Sequence, residues 1–383
     1  MKKLFIVIAA ALFVVGSVLP AVAQDKAEYS LYGSARMWTG WESANEDTAN
    51  RPGAALPGAV AKGWHAPGHG PQSDGDLVWT LQGTTQYGFR AKWGNIGGHI
   101  QMRESVGAGP GDYGATLALA YGTWNFGAGT LVIGRDFTPY FMALSSFCGP
   151  GASDCIGFGY GSPYGYRMDQ AKLIMGGFQI ALIKPGRGGD APALDTDSTL
   201  PKIEARYSFN LGPAALSIAG GYNTSSHEFV NAAGALTDAD ITSWILGAGA
   251  KFNFGPLYFN LGAQYGENIG NAPWLTHLTI KNYNSAHDAD AEFLAFLGNV
   301  GFRVTDAMKL EAGVFWQQGE QDLAVTNTET MMTYYIQGTF SPAKNVFIIP
   351  EIAMIDYGDF ESGNHETDWG KLFYIGVKWQ INF

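Results

Sequence analysis

Charged residues are scarce in this 383-residue chain: Asp, Glu, Lys and Arg make up 15% of it, where average usage is about a quarter. Basic residues are the scarcer sign, 23 against 34 acidic ones, and the net charge of −11 argues against a nucleic-acid partner. Cysteine is limited to Cys148 and Cys155, which excludes a disulfide-dense scaffold but suits an oxidising compartment. Long apolar runs are absent beyond residue 23, so no later segment qualifies as a transmembrane helix. What the chain holds in quantity is glycine (52 residues) and aromatic side chains (14%).

The first 23 residues are set apart. Lys2 and Lys3 precede the apolar run Leu4 to Val18, followed by Pro20 and the small-residue motif Ala21-Val22-Ala23. The pattern predicts a secretory signal peptide over 1–23, cleaved after Ala23, and one domain over 24–383. Loss of the two lysines takes the net charge from −11 to −13. An exported, strand-rich chain without a second hydrophobic helix is a soluble β-protein or a closed outer-membrane barrel. In lipid, only helices and closed barrels satisfy every backbone polar group.

The last eleven residues favour the barrel. Phe373, Ile375, Val377, Trp379, Ile381 and Phe383 fall on one face of an extended strand; Tyr374, Gly376, Lys378, Gln380 and Asn382 fall on the other. One apolar and one polar face mark a strand between unlike media, and about ten such residues, tilted, cross a bilayer core. The alternation recurs in Tyr29 to Trp41 and most cleanly in Leu77 to Lys92. Short turns are legible at Gly94-Asn95, Asn125-Phe126-Gly127, Gly176-Gly177, Asn210 to Pro213, Gly255-Pro256, Thr305-Asp306 and Ser341-Pro342-Ala343. Long polar connections lie near 42–75, 105–114, 138–165, 185–199, 224–239, 267–290, 319–328 and 358–368. These connections predict an all-β, sixteen-stranded antiparallel transmembrane barrel with short periplasmic turns and long extracellular loops.

Charge sorts onto these elements. Arg36, Arg90, Lys92, Arg103, Lys202, Arg206, Lys251, Arg303, Lys309 and Lys378 occupy polar strand faces, with Glu204, Glu311 and Glu351 as acidic exceptions. The loops carry most of the acid. A charge on the lipid face costs a few kcal/mol at mid-membrane, so the ten basic residues belong in a wet lumen, and the barrel is a channel.

The segment Gly129-Thr130-Leu131-Val132-Ile133-Gly134-Arg135, followed by Asp136-Phe137-Thr138-Pro139, resembles a signature of general trimeric porins of Gram-negative bacteria. Those proteins carry a similar Gly-x-Leu-x-x-Gly-Arg strand just before their third loop. The resemblance extends to the leader, the strand count, the terminal Phe383 and an arginine at Tyr166-Arg167, and the text is also similar to the homotrimeric porins of sulfate-reducing bacteria. It implies a homotrimer that passes small hydrophilic solutes by passive diffusion, with Phe383 as the signal read by the barrel-assembly machinery. It also implies that Thr138 to Gly165 folds into the lumen as a constriction loop, its acids facing wall arginines. By position these are Arg36, Arg90, Arg135 and Arg167, with Arg103 on the same lining. Parity supports Arg36 and Arg90; for Arg135 it is ambiguous, because Leu131 and Ile133 share its face. A structural salt bridge is the alternative role for each arginine. The loop offers Asp154 alone as an acid, with Asp136 just before it, so the expected field is lopsided towards positive and the expected preference is weakly for anions. Six residues separate Cys148 from Cys155; a disulfide there is worth about 2.5 kcal/mol of loop entropy, and two free thiols or a metal pair are its alternatives.

Catalysis has little foothold, and no enzyme activity is expected: no nucleophile-elbow motif is present. His65 and His69 are four apart, but the intervening Pro and Gly preclude the helix that would align them as ligands. Gly157, Gly159 and Gly161 lack the strand-to-helix context of a dinucleotide site. No cofactor is expected beyond structural Ca²⁺ or Mg²⁺ at acidic loops, bridging to lipopolysaccharide. The rival readings are a solute-specific channel for a sugar or an oxyanion, a plugged structural or adhesive barrel, and a soluble secreted β-protein.

Overall fold

A computed structural model describes residues 27–45, 47–48, 73–106, 113–150, 154–186, 195–230, 236–284 and 287–383. The first barrel stave is β1 (Glu28–Ala44), and the second is broken into β2 (Ser73–Leu81) and β3 (Gln86–Trp93). Next come β4 (Ile96–Val106), β5 (Tyr113–Asn125), β6 (Thr130–Phe137), β7 (Arg167–Met175) and β8 (Phe178–Ile183). The short β9 (Asp195–Asp197) precedes β10 (Lys202–Leu211), β11 (Ala214–Val230), β12 (Leu236–Phe254) and β13 (Leu257–Glu267). Then follow β14 (Ala291–Thr305), β15 (Met308–Asp322), β16 (Thr326–Ala343) and β17 (Val346–Asp356). A loop hairpin of β18 (Asp359–Ser362) and β19 (His365–Asp368) leads to β20 (Lys371–Asn382). With β2 and β3 counted once and β9, β18 and β19 set aside, sixteen antiparallel staves remain, and β20 pairs with β1 from Leu372–Ala44 to Asn382–Ser34. Closure leaves the ladder at this seam without a free edge. The expected sixteen-stranded barrel is the observed fold.

The predicted second strand, Leu77 to Lys92, differs from the structure in one respect. Met37 pairs with Leu81 but Ser34 pairs with Gln86, so residues 82–85 stand opposite Ala35 and Arg36. The backbone of Arg36 serves this bulge: its N–H donates to Thr85 Oγ1, and its carbonyl accepts from the Gln82 N–H. Two extra residues leave the alternation intact, which is why sequence periodicity did not reveal the break. The last short turn also moves, from Ser341-Pro342-Ala343 to Lys344-Asn345, where Asn345 takes the left-handed φ of 67° that a tight reversal uses. The connections expected at 224–239 and 319–328 are mostly ladder, because β11–β12 and β15–β16 run past the membrane as long hairpins.

Outward positions carry large apolar side chains such as Leu31, Trp79, Ile218 and Phe296, all exposed on the isolated barrel wall. The register puts all ten basic strand residues on the inward positions. Several strands break the polar-in rule, and β14 does so over consecutive inward positions, burying Phe293, Ala295 and Leu297 on its inner side. Those residues form a core with Met142, Leu144 and Phe147, all from a segment inside the barrel.

Candidate pore constriction

The connection between β6 and β7, residues 138–166 (L3), lines the inside of the wall instead of projecting outward. Its residues take the staves in turn. The Tyr140 N–H donates to Glu204 on β10 at 2.9 Å and its hydroxyl to Gln264 on β13. The Leu144 carbonyl accepts from Asn299 on β14, the Ser146 N–H donates to Glu311 on β15 at 2.7 Å, and the Cys148 and Gly149 N–H groups donate to Glu351 on β17. The three acidic exceptions on the polar face are therefore loop anchors. Each is a buried carboxylate accepting backbone N–H bonds, and charge-assisted bonds of this kind are about twice as strong as neutral ones. Glycines let the belt lie close: a Cβ at Gly249 or Gly262 meets Leu144 at about 3 Å.

The tip of the loop crosses to the opposite wall. Asp154 accepts from Arg36 on β1 at 2.9 Å and from Arg167 at the start of β7 at 2.8 Å. Arg167 also donates to the Tyr164 hydroxyl and stacks on Phe137, 4.4 Å from the ring centre. Burial pushes the Asp154 carboxyl up, but Arg167 and Arg36 outweigh it and hold the pKa below its ordinary value. Cys148 and Cys155 are joined by a disulfide at this tip, and Lys378 Nζ lies 3.2 Å from the Cys155 sulfur.

On the remaining wall, β3 to β5, Arg90 is exposed, whereas His99 and Gln101 are buried. Arg90 lies over the Tyr32 ring, and neither Arg90 nor Arg103 has a carboxylate within ion-pair distance among the described residues. His99 sits between Tyr32 and Tyr121, hydrogen-bonded to both hydroxyls. Asp136 is inward but neutralised by Lys172, a partner the sequence reading did not single out. Arg135 stands apart from Asp154: the register sets it opposite Asp169, with Arg135 Nη1 3.6 Å from that carboxylate, on the face shared with Ile133. The structure thus brings together Arg36, Arg167 and Asp154, places Arg90 and Arg103 on the adjoining wall, and leaves Arg135 outside the cluster.

A second loop had not been expected inside. Residues 268–290 (L6) carry Ile269, Trp274 and Leu278, all fully or almost fully buried. The Leu275 N–H donates to the Tyr164 carbonyl and the His277 N–H to the Gly159 carbonyl, seating L6 on the returning leg of L3. The inward parity of Glu329 was the available signal, since that carboxylate accepts the Thr279 and Ile280 N–H bonds. His65 and His69 lie outside the described residues. Among the described residues no three His, Cys, Asp or Glu side chains are grouped to hold a metal ion.

Comparison with known proteins agrees with this architecture. The chain is similar in fold to the outer-membrane channel DcaP of Acinetobacter baumannii, with a TM-score of 0.66 and 17% identity over 95% of this chain and all of that one. The anion-selective porin from Comamonas acidovorans gives 0.58 and 14% over 94% of this chain and all of that one. OmpT of Vibrio cholerae, in its trimer form, gives 0.57 and 14% over 93% and all. At such identities the likeness shows the fold alone. No curated protein matches the chain in sequence. The Gram-negative porin family matches residues 8–359, most of the chain, and the protein is a member of that family, an outer-membrane β-barrel channel.

Proposed function

We propose that this barrel passes small hydrophilic solutes by passive diffusion, with a weak preference for anions and no chemical step. The observation that carries the reading is the charge balance at the constriction. One carboxylate, Asp154, is shared by Arg36 and Arg167, while Arg90 and Arg103 have no carboxylate within ion-pair distance among the described residues. At about 7 Å in water a unit charge gains about 0.6 kcal/mol, roughly halved by screening at 0.1 M salt. Two guanidinium groups in excess of the ion pairs among the described residues therefore support a selectivity of a few-fold, far short of exclusion. Reversal potential across a planar bilayer under a salt gradient tests this: a cation-selective potential overturns the preference, and absence of conductance overturns the channel.

The wider assembly follows the same reading. Export through the 1–23 leader, threading by the assembly machinery through the strand ending at Phe383, and a homotrimer bedded in lipid and lipopolysaccharide fit a protein of this family. OmpT of Vibrio cholerae, one of the structural neighbours, is a trimer. A solute-specific channel is the second reading, favoured by the polar aromatic group of Tyr32, His99, Tyr121 and Arg90 on the inner wall. Saturable, solute-blocked current for an oxyanion or a sugar distinguishes it from simple diffusion.

A further inference from the structure

L3 and L6 meet the wall together at β10 and at β15. On β10, Lys202 and Glu204 are both fully buried and form an ion pair at 2.9 Å. One oxygen of Glu204 accepts from the Tyr140 N–H of L3 at 2.9 Å, and the other accepts from Trp274 Nε1 of L6 at 2.8 Å. Lys202 completes the grip on L6: its Nζ donates to the Ala272 carbonyl at 2.7 Å and lies 4.3 Å from the centre of a Trp274 ring. Gly221 on the neighbouring strand makes room for that indole, since a Cβ there meets it at 2.3 Å. On β15, Gln317 is shared as well: its amide N–H donates to the Gly159 carbonyl of L3 and its carbonyl accepts from the Thr276 hydroxyl of L6, but it carries no charge. Glu351 accepts backbone N–H groups from L3, and Glu329 from L6.

We propose that L6 is a second selectivity loop, and that Glu204 is the positioning residue that couples its placement to that of L3. The inference rests on the reading of the barrel as a channel and deepens it. Solute size is then set by two loops acting as one body, because they share a carboxylate and are stitched along Tyr164–Leu275 and Gly159–His277. Removing the carboxylate releases a donor on each loop and leaves Lys202 buried without its counter-ion, the arrangement in which losing one partner costs most. Groups that act through one shared element respond non-additively when changed together.

The test uses the full mature barrel in planar bilayers and in liposomes swollen by neutral sugars of increasing size. Glu204→Gln is expected to raise the conductance about twofold and to admit larger sugars than Glu329→Gln or Glu351→Gln. Adding Glu329→Gln to Glu204→Gln should bring little further change. Should Glu204→Gln fail to assemble, Trp274→Phe keeps a smaller aromatic ring beside Lys202 and removes the indole N–H that L6 donates to Glu204. That variant should shift both the sugar limit and the reversal potential, because the charge that sets the potential sits at Asp154 on L3. A shift in sugar limit with an unchanged reversal potential overturns the coupling. Wild-type exclusion limits in both variants overturn the role of L6. A wild-type barrel without conductance removes the channel reading first, and this inference with it.

Discussion

Phe383 closes the barrel on Gly33. The two residues exchange backbone hydrogen bonds of 2.7 and 3.0 Å, and the Phe383 ring occupies the space that a side chain at residue 33 would need, 2.4 Å from an ideal Cβ. The terminal aromatic is therefore part of the seam between β20 and β1 as well as the end of the chain.

Gly33→Val should displace that ring while leaving the terminus and its backbone bonds in place. A ring on a freely rotating side chain can swing aside, so the expected cost is modest, about 1 kcal/mol. Phe383→Ala should reduce the yield of heat-modifiable barrel in outer-membrane fractions, and Gly33→Val should reproduce part of that loss. If Gly33→Val assembles at the wild-type yield, the contact contributes nothing to closure.

Asp154→Asn removes the only acid that L3 sets against Arg36 and Arg167. One charge at about 5 Å in water is worth about 0.8 kcal/mol before screening, so the anion-to-cation permeability ratio should rise about twofold to fourfold. The buried guanidinium groups also lose their partner, and open-channel noise should increase. An unchanged reversal potential would show that the permeating ions do not sense this site.

Acid should have the same effect on the native channel, and the sign follows from the direction of the shift. The Asp154 carboxyl is held below its ordinary pKa in the folded protein. Its pairing stabilises the loop tip fully above the unfolded value and is lost as pH falls through the depressed folded value. The contribution of Asp154 to anion selectivity should therefore appear only below the usual carboxylate range, with a looser tip. Asp154→Asn should lack this limb of the pH profile.

The barrel was legible in the sequence because lipid enforces alternation residue by residue. Phe373 to Phe383 shows it without a break, and the bulge at 82–85 stayed hidden because an insertion of two preserves parity. The lumen was less legible, because an inward position says which way a side chain points but not what meets it. Glu204, Glu311 and Glu351 stood out as acids on a basic face, yet nothing local showed that loop N–H groups would come to them from as far as 203 residues away. The apolar inner face of β14, Phe293 to Leu297, was the clearest available sign that something folds against it. Arg135 shows the limit of a motif: it gave the residue but not its neighbour, Asp169, which the register with β7 sets opposite it.

Reduction of the Cys148–Cys155 disulfide should alter the channel less than loss of Glu351. The disulfide closes a small ring worth about 2.5 kcal/mol of loop entropy. Glu351 accepts from the Cys148 and Gly149 N–H groups, from Gln337 and from the Tyr374 hydroxyl. Hydrogen bonds to a charged group are worth about 1.5–3 kcal/mol each, so the two from the loop match or exceed the disulfide, and those from Gln337 and Tyr374 hold the carboxylate in place to accept them. The pairing of Asp154 with both arginines is a further restraint on the tip that does not pass through the S–S bond. Single-channel recording with a small-molecule thiol reductant should show added noise at near-native conductance, as should Cys148→Ser with Cys155→Ser. Glu351→Gln should enlarge the conductance with the disulfide intact, and reduction on that background should enlarge it again. A large conductance change on reduction of the otherwise native barrel would reverse this ranking and make the disulfide, not the wall carboxylate, the main restraint on the tip.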